Sequence, residues 1–311
     1  MHFICVGTPQ RGDSGAADLT YVDASVTALS RHLHRRALVV GKSTVPVGTA
    51  ARLAELIRAT APAGDQVELA WNPEFLREGF AVDDTMRPDR LVFGVTSAWS
   101  EERLRAAFEP VLAQGVPVKV TDLQTAELVK VAANSFLATK ISYINAMAEV
   151  CEATGADVRD LAEALAYDER IGGRFLRPGL GFGGGCLPKD IRAFAHRAEE
   201  LGVGQAVGFL REIDGINKRR RSRTVDLVVE LCGGDVAEQE DRRAGRVVQA
   251  RLRRHPRRAR TRGGEHARST WARTCTSSTR PRWRTPAGRT PSSATAPAHW
   301  TWPAAPTWSC C

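Results

Sequence analysis

The sequence predicts an α/β protein: a mostly parallel sheet, then a helical region, then a disordered tail. Three observations predict it. Over the first 120 residues short apolar runs alternate with helix-period stretches, as successive βαβ units require. From Thr121 an apolar pattern of three-to-four spacing continues for about thirty residues. After Glu240 there is no Lys, Ile, Phe, Tyr or Met, and Val247, Val248 and Leu252 are the only large aliphatic residues. That stretch buries too little apolar surface to offset chain entropy.

The strands follow from the apolar runs. His2–Gly7 ends in a Gly-Thr-Pro turn, Ala37–Val40 ends in GKSTVPVGT, and Val67–Trp71 ends at Asn72-Pro73. Leu91–Val95 and Val116–Val120 are the fourth and fifth strands. Between them, Asp18 is placed to cap a helix with Val22, Val26 and Leu29 inward, and another runs through Leu53 and Ile57. In such sheets ligands bind beyond the carboxyl ends of the strands, so the turns VGTP, KSTVPVGT and NPEFLREG matter most. The long helix stops at Gly155. At 1.5 Å per residue it spans roughly 45 Å, long enough to link domains or to pair with a second subunit. A shorter helix is expected near Val158–Ala166, then a glycine-rich loop, then helices over Ile191–Leu201 and Gln205–Leu231. The expected domains are 1–121, 122–234 and the tail 235–311.

Charge is uneven. Of the net +9, residues 241–311 carry +14, from 16 Arg against Asp241 and Glu265, so residues 1–240 carry −5. A basic tail bearing Trp suits nucleic acid. Its lack of any Lys points instead to a disordered segment of skewed nucleotide composition, and no nucleic-acid partner is expected. No apolar run reaches the roughly 18 residues of a membrane helix, and the start MHFICVGTPQ lacks the regions of a signal peptide. A cytoplasmic protein is expected. The seven cysteines show no metal-ligand spacing. Cys5 and Cys151 read as core.

Cys186 differs. Gly179, Gly181, Gly183, Gly184 and Gly185 precede it, and Pro188, favoured in a first helical turn, follows. A thiol at a helix amino end meets free N–H groups and the positive end of the dipole, which favour the thiolate. Lys189 and Asp190 flank it. The alternative is a small core residue in a glycine-rich turn. In NPEFLREG, Glu74 and Glu78 are four apart and share one side if the segment is a helical turn. Such a carboxylate can act as a base, although exposed Glu/Arg pairs are commonly solvated surface. Lys130 and Asn134 lie one turn apart on the long helix and could stabilise an oxyanion. By itself, Lys130 reads better as a snorkelling side chain at a solvent edge. Ser43 and Thr44 could bind cofactor or water, while a plain turn capped by Thr49 fits the pattern equally well.

Taken in order, VGTP, GKSTVPVGT, NPEFLREG, TAELVKVAANSFLATKIS, DERIG and GFGGGCLPKD resemble the UDP-glucose/GDP-mannose dehydrogenase family, from Phe3 to about Val229. The resemblance is to enzymes that oxidise a sugar C6 alcohol to a carboxylate. It implies a Rossmann-like NAD-binding sheet, NAD as cofactor, UDP-glucose as substrate and a homodimer formed through the long helix. It implies two successive oxidations, with Cys186 forming first a thiohemiacetal and then a thioester. Lys130 and Asn134 would hold the oxyanion, Asp190 and Thr44 the water, and Glu74 would assist hydrolysis. Thr8, Pro9, Ser43, Thr44, Glu78 and Lys189 would face NAD. Glu74, Phe75, Leu76, Lys130, Asn134, Phe175, Leu176, Gly181, Phe182 and Gly183 would face the nucleotide sugar, with Arg170 reaching a neighbouring subunit's phosphates. No metal is implied.

Two departures accompany the resemblance. The family's GxGxxG turn, which holds the NAD pyrophosphate, has no counterpart here. The family's second nucleotide domain is replaced by the Arg-rich tail. A chain shortened at its start and altered at its end is therefore expected, with negligible NAD binding. The alternatives are a GDP-mannose or UDP-N-acetyl-aminosugar 6-dehydrogenase, or a catalytically incompetent fragment of such an enzyme.

Overall fold

The computed structural model describes residues 1–231 except Asp13 and Glu78, with side chains described as far as Leu227. Expectations about Glu78, about Cys232 and the later cysteines, and about the tail 235–311 lie outside these residues. Met1–Arg220 belongs to one compact unit; a second begins at Arg221.

Five strands form one sheet in chain order: β1 His2–Ile4, β2 Ala37–Gly41, β3 Val67–Trp71, β4 Leu91–Gly94 and β5 Val118–Thr121. Neighbours are parallel except β3 and β4, which meet antiparallel through Trp71 and Gly94. The connecting helices are α1 Thr20–Ser30, α2 Thr49–Thr60, α3 Ala81–Met86, α4 Ala98–Ala107 and α5 Glu109–Leu112. Next come α6 Leu123–Thr154, α7 Val158–Ala166, α8 Leu187–Glu200 and α9 Phe209–Leu231.

Side-chain alternation along the strands sorts the core into two layers. Val39, Val67, Leu69 and Trp71 pack with Val22 and Val26 of α1, Leu53 and Ile57 of α2, and Leu123 and Ala126 of α6. Leu38, Val40, Ala70, Leu91 and Phe93 pack with Leu104 of α4 and Val111 of α5. Each fully buried Val, Leu or Ile contributes about 1.5–3 kcal/mol, so the two layers fix the sheet between its helices. Gly94 lets α6 lie close: a Cβ there would stand 2.6 Å from that of Ala126. A third cluster joins Ala138 of α6, Phe182, Leu187 and Ile191 of α8, and Leu210 and Ile213 of α9. It seats the glycine-rich loop against α6.

Several expectations needed correction. β1 is a shorter edge strand than the apolar run suggested, and Cys5 is exposed while Cys151 is buried. Reading an apolar run as core assumed cover on both faces, but β2 alone pairs β1, and within the strand Ile4 alone is buried. Residues 72–77 form no helical turn. The last helix begins after a separate 3-10 turn at Gly204–Val207. Helix α6 has 32 residues and ends at Gly155 in the left-handed conformation, φ 76°. At its start the Asp122 carboxylate accepts the Thr125 N–H at 2.7 Å. Asp18 accepts the Thr20 N–H and hydroxyl at the start of α1. No helix of the described residues is long and apolar enough to cross a membrane.

Candidate active site

Cys186 sits immediately before α8, with Pro188 in the first turn, as the glycine run and the proline require. It is exposed. Its thiol is nonetheless crowded by protein. Burial pushes its pKa up, Asp190 and Glu74 add to the rise, and Lys130 and Lys189 oppose it. The expected thiolate is therefore disfavoured in this form: desolvation and the carboxylates outweigh the helix end and the two lysines. The same electrostatics identify the four charges that act on the sulfur, and they come from β3's end, α6 and α8.

Two pairs organise these charges. Asn134 on α6 donates from Nδ2 to Asp190 Oδ2 at 2.6 Å, a bond between two buried side chains. Lys189 Nζ lies 2.5 Å from Asp190 Oδ1. Lys130 Nζ, one turn from Asn134 on the same helix, lies 3.3 Å from Glu74 Oε1. Lys130 is 6% exposed, so the snorkelling reading fails; its partner is Glu74, 56 positions away and invisible to local pattern. The Glu74 Oε2 accepts the Leu76 N–H at 2.6 Å, which fixes the carboxylate. Phe75 carries two cations on its ring, Lys130 at 5.4 Å and Arg90 at 4.0 Å. Leu76 is exposed.

The turns after β1 and β2 are tied together. Thr8 Oγ1 donates to the Thr44 carbonyl at 2.7 Å, and Ser43 Oγ to the Val6 carbonyl at 2.6 Å. Lys189 Nζ approaches Thr8 Oγ1 at 3.5 Å. Pro9 is exposed beside them. Thr49 makes no side-chain cap; its hydroxyl donates to the Pro46 carbonyl. The cap comes from Glu127, whose carboxylate accepts the Gly48 and Ala50 N–H groups at 2.8 and 2.6 Å. Burial pushes the Glu127 carboxyl up to about 7, against the pull of those N–H groups and Arg197.

In the glycine-rich loop, Phe182 is 1% exposed and Leu176 is also buried. These side chains anchor the loop. Asn217 holds Phe182 by both backbone groups, at 2.8 and 2.9 Å, and Asn145 accepts the Gly179 N–H at 2.9 Å. Phe175 is half exposed with φ 66°. Arg170 does not join the cluster: its side chain is 89% exposed and forks onto Asp168. Sequence reasoning missed Glu127, Arg197, Asn145, Asn217 and Lys42. Lys42 is desolvated, which lowers its pKa, and donates to Asn72 Oδ1 at 2.8 Å, holding the turn before Glu74. An acid three residues before Lys130 on an apolar face was the available signal for Glu127. Among the described residues no group of His, Cys, Asp and Glu could hold a metal.

A mostly parallel sheet with helices on both faces, followed by a helical region that carries a thiol at a helix start, defines a Rossmann-like α/β protein. Known proteins agree. The NAD binding domain of the UDP-glucose/GDP-mannose dehydrogenase family matches residues 1–112, and that family's central domain matches 124–219. The UDP-glucose 6-dehydrogenase of Rickettsia felis is 44% identical over 234 residues, covering 75% of this chain and 51% of that protein. A solved UDP-glucose dehydrogenase of Pyrobaculum islandicum superposes with TM-score 0.70 at 38% identity, covering 77% of this chain and 54% of that one. A UDP-D-ManNAc dehydrogenase of Pyrococcus horikoshii gives 0.66 at 25%, covering 76% and 55%. The chain belongs to the UDP-glucose/GDP-mannose dehydrogenase family. It spans about half the length of the curated relatives it matches.

Proposed function

We propose that this site serves the NAD-dependent oxidation of the C6 alcohol of UDP-glucose to UDP-glucuronate. The observation that carries the reading is geometric: Cys186 begins α8, Asp190 in its first turn is bonded to Asn134 of α6 and paired with Lys189, and Lys130 one turn from Asn134 is paired with Glu74. The higher identity to relatives named for UDP-glucose than to the one named for UDP-D-ManNAc supports the choice of sugar.

NAD, when bound, would supply the hydride acceptor for each oxidation, and the hydroxyl proton lost in each would pass to water. The residues present fit its nicotinamide end: Thr8 and Ser43 keep free lone pairs at two strand ends, and Lys189 adds a cation. The amino end of α2, a natural phosphate site, is already filled by Glu127. Cys186 Sγ adds to the C6 aldehyde carbon and its proton leaves toward the aldehyde oxygen. Lys130 retains N–H groups beyond its bond to Glu74, and Asn134 retains the second Nδ2 hydrogen; both stabilise that oxygen. After the second oxidation the thioester carbon takes a water held by Asp190 and Thr44, while Glu74 accepts its proton. Carbon–sulfur cleavage then releases the carboxylate and restores the thiol.

NADH formation by the full chain, with UDP-glucose, GDP-mannose and UDP-N-acetylmannosamine in parallel, tests the reading. UDP-glucose turnover that vanishes in Cys186→Ala is the expected result. Turnover of another sugar alone, or turnover that survives in Cys186→Ala, overturns it.

The same reading includes a homodimer through α6. Phe136, Tyr143 and Val150 repeat every seven residues and are 65%, 48% and 53% exposed, the stripe a helix presents to a second copy. Sedimentation of Phe136→Asp is expected to show a monomer where the unchanged chain is a dimer. A monomeric unchanged chain would refute it.

A further inference from the structure

We infer that Glu127 is the positioning residue that sets the Thr44 turn against the oxyanion donors of α6. This rests on the function proposed above. Glu127, Lys130 and Asn134 occupy successive turns of one buried face. Lys130 is paired with Glu74, and Asn134 is bonded to Asp190 in the helix that Cys186 begins. Glu127, 2% exposed, points to the turn after β2.

Both carboxylate oxygens of Glu127 are spent on that turn, one on the Gly48 N–H and one on the Ala50 N–H. From the opposite side Arg197 of α8 donates from Nε to the Val47 carbonyl at 2.9 Å. Gly48 has φ 95°, a conformation that L side chains rarely adopt. A Cβ there would stand 3.2 Å from the Arg197 guanidinium. The segment 42–50 is thus gripped by α6 and by α8, the two helices that bear the oxyanion donors and the thiol. Thr44 lies inside the grip, with its carbonyl tied to Thr8. No local interaction replaces Glu127, because neither Gly48 nor Thr49 caps α2 by its side chain.

The test compares Glu127→Ala, Glu127→Gln and, on the outer face of the same helix, Leu128→Ala, all in the full chain. Hydrogen exchange is followed across residues 42–50 and across β3, alongside NADH formation from UDP-glucose. Loss of a helix cap predicts exchange about tenfold faster over 42–50 in Glu127→Ala, with β3 unchanged. Glu127→Gln keeps one acceptor and falls between; Leu128→Ala matches the unchanged chain. The kcat falls about tenfold in Glu127→Ala while the KM for UDP-glucose moves less than about twofold. Unchanged exchange over 42–50 overturns the inference. So does equal acceleration in β3, which would make Glu127 a general stabiliser. A fall in KM affinity with kcat intact overturns it as well. If the unchanged chain forms no NADH, the UDP-glucose reading fails, and the exchange pattern still decides whether Glu127 holds the turn.

Discussion

Asn217→Ala probes how the loop before Cys186 is held. Asn217 is 3% exposed and bonds both backbone groups of Phe182, at 2.8 and 2.9 Å. Truncation removes both of these bonds to buried backbone groups, each costing about 1–3 kcal/mol. The sum, roughly 3–4 kcal/mol, is a large share of a typical domain's stability. Asn145→Ala is the internal comparison. It removes one bond, to a Gly179 N–H that is only partly buried, and is expected to cost about 1 kcal/mol. Gly181→Ala should resemble Asn217→Ala, because its new Cβ would stand 2.3 Å from Asn217 Oδ1 at φ 86°. Urea unfolding of the four chains gives the ranking, and hydrogen exchange over 179–185 locates the change. An Asn217→Ala cost no greater than that of Asn145→Ala would refute the latch.

Other expectations follow from titrating groups. The Glu127 carboxyl is raised from 4.5 to about 7, so the fold favours its protonated form. Its stabilising contribution is full below pH 4.5 and is lost as pH rises through about 7, roughly 3 kcal/mol in all. Unfolding of Glu127→Gln should lack that decline, and a stability difference that is flat with pH would contradict it. Alkylation of Cys186 by iodoacetamide, read by peptide mass, should be slower near neutral pH than that of a free thiol peptide. Asp190→Asn should accelerate it by removing a charge that raises the thiol's pKa, and Lys130→Met should slow it. The reverse order would mean that those charges do not reach the sulfur.

What the sequence made legible was local. Val67–Trp71 alternates and is a strand over those residues; Gly155 ends α6; Pro188 marks α8, and so Cys186 stands at a helix start. The misread residues depend on distant partners. Lys130 is buried because Glu74 reaches it. Glu127 serves amides 77 and 79 positions away, and Asn217 serves Phe182, 35 positions away. The thiol's raised pKa reflects crowding from several elements, which no helix-end rule includes. Cys5 is exposed because it lies just past a short edge strand with one neighbour, and an apolar run does not say where a strand ends or how many neighbours it has.

Glu127, Lys130, Asn134 and Asn145 all project from α6 at fixed angular steps, each to its own partner. The helix therefore works as a ruler, and its tolerance to change is lopsided. Losing one residue between Glu127 and Asn145 would turn everything beyond it by about 100° and draw it in by about 1.5 Å. The cap, the oxyanion donors and the loop anchor could then not be satisfied together. Outward positions such as Leu128 can exchange side chains without disturbing that alignment. Along this segment, substitutions are negotiable by position, while insertions and deletions are not.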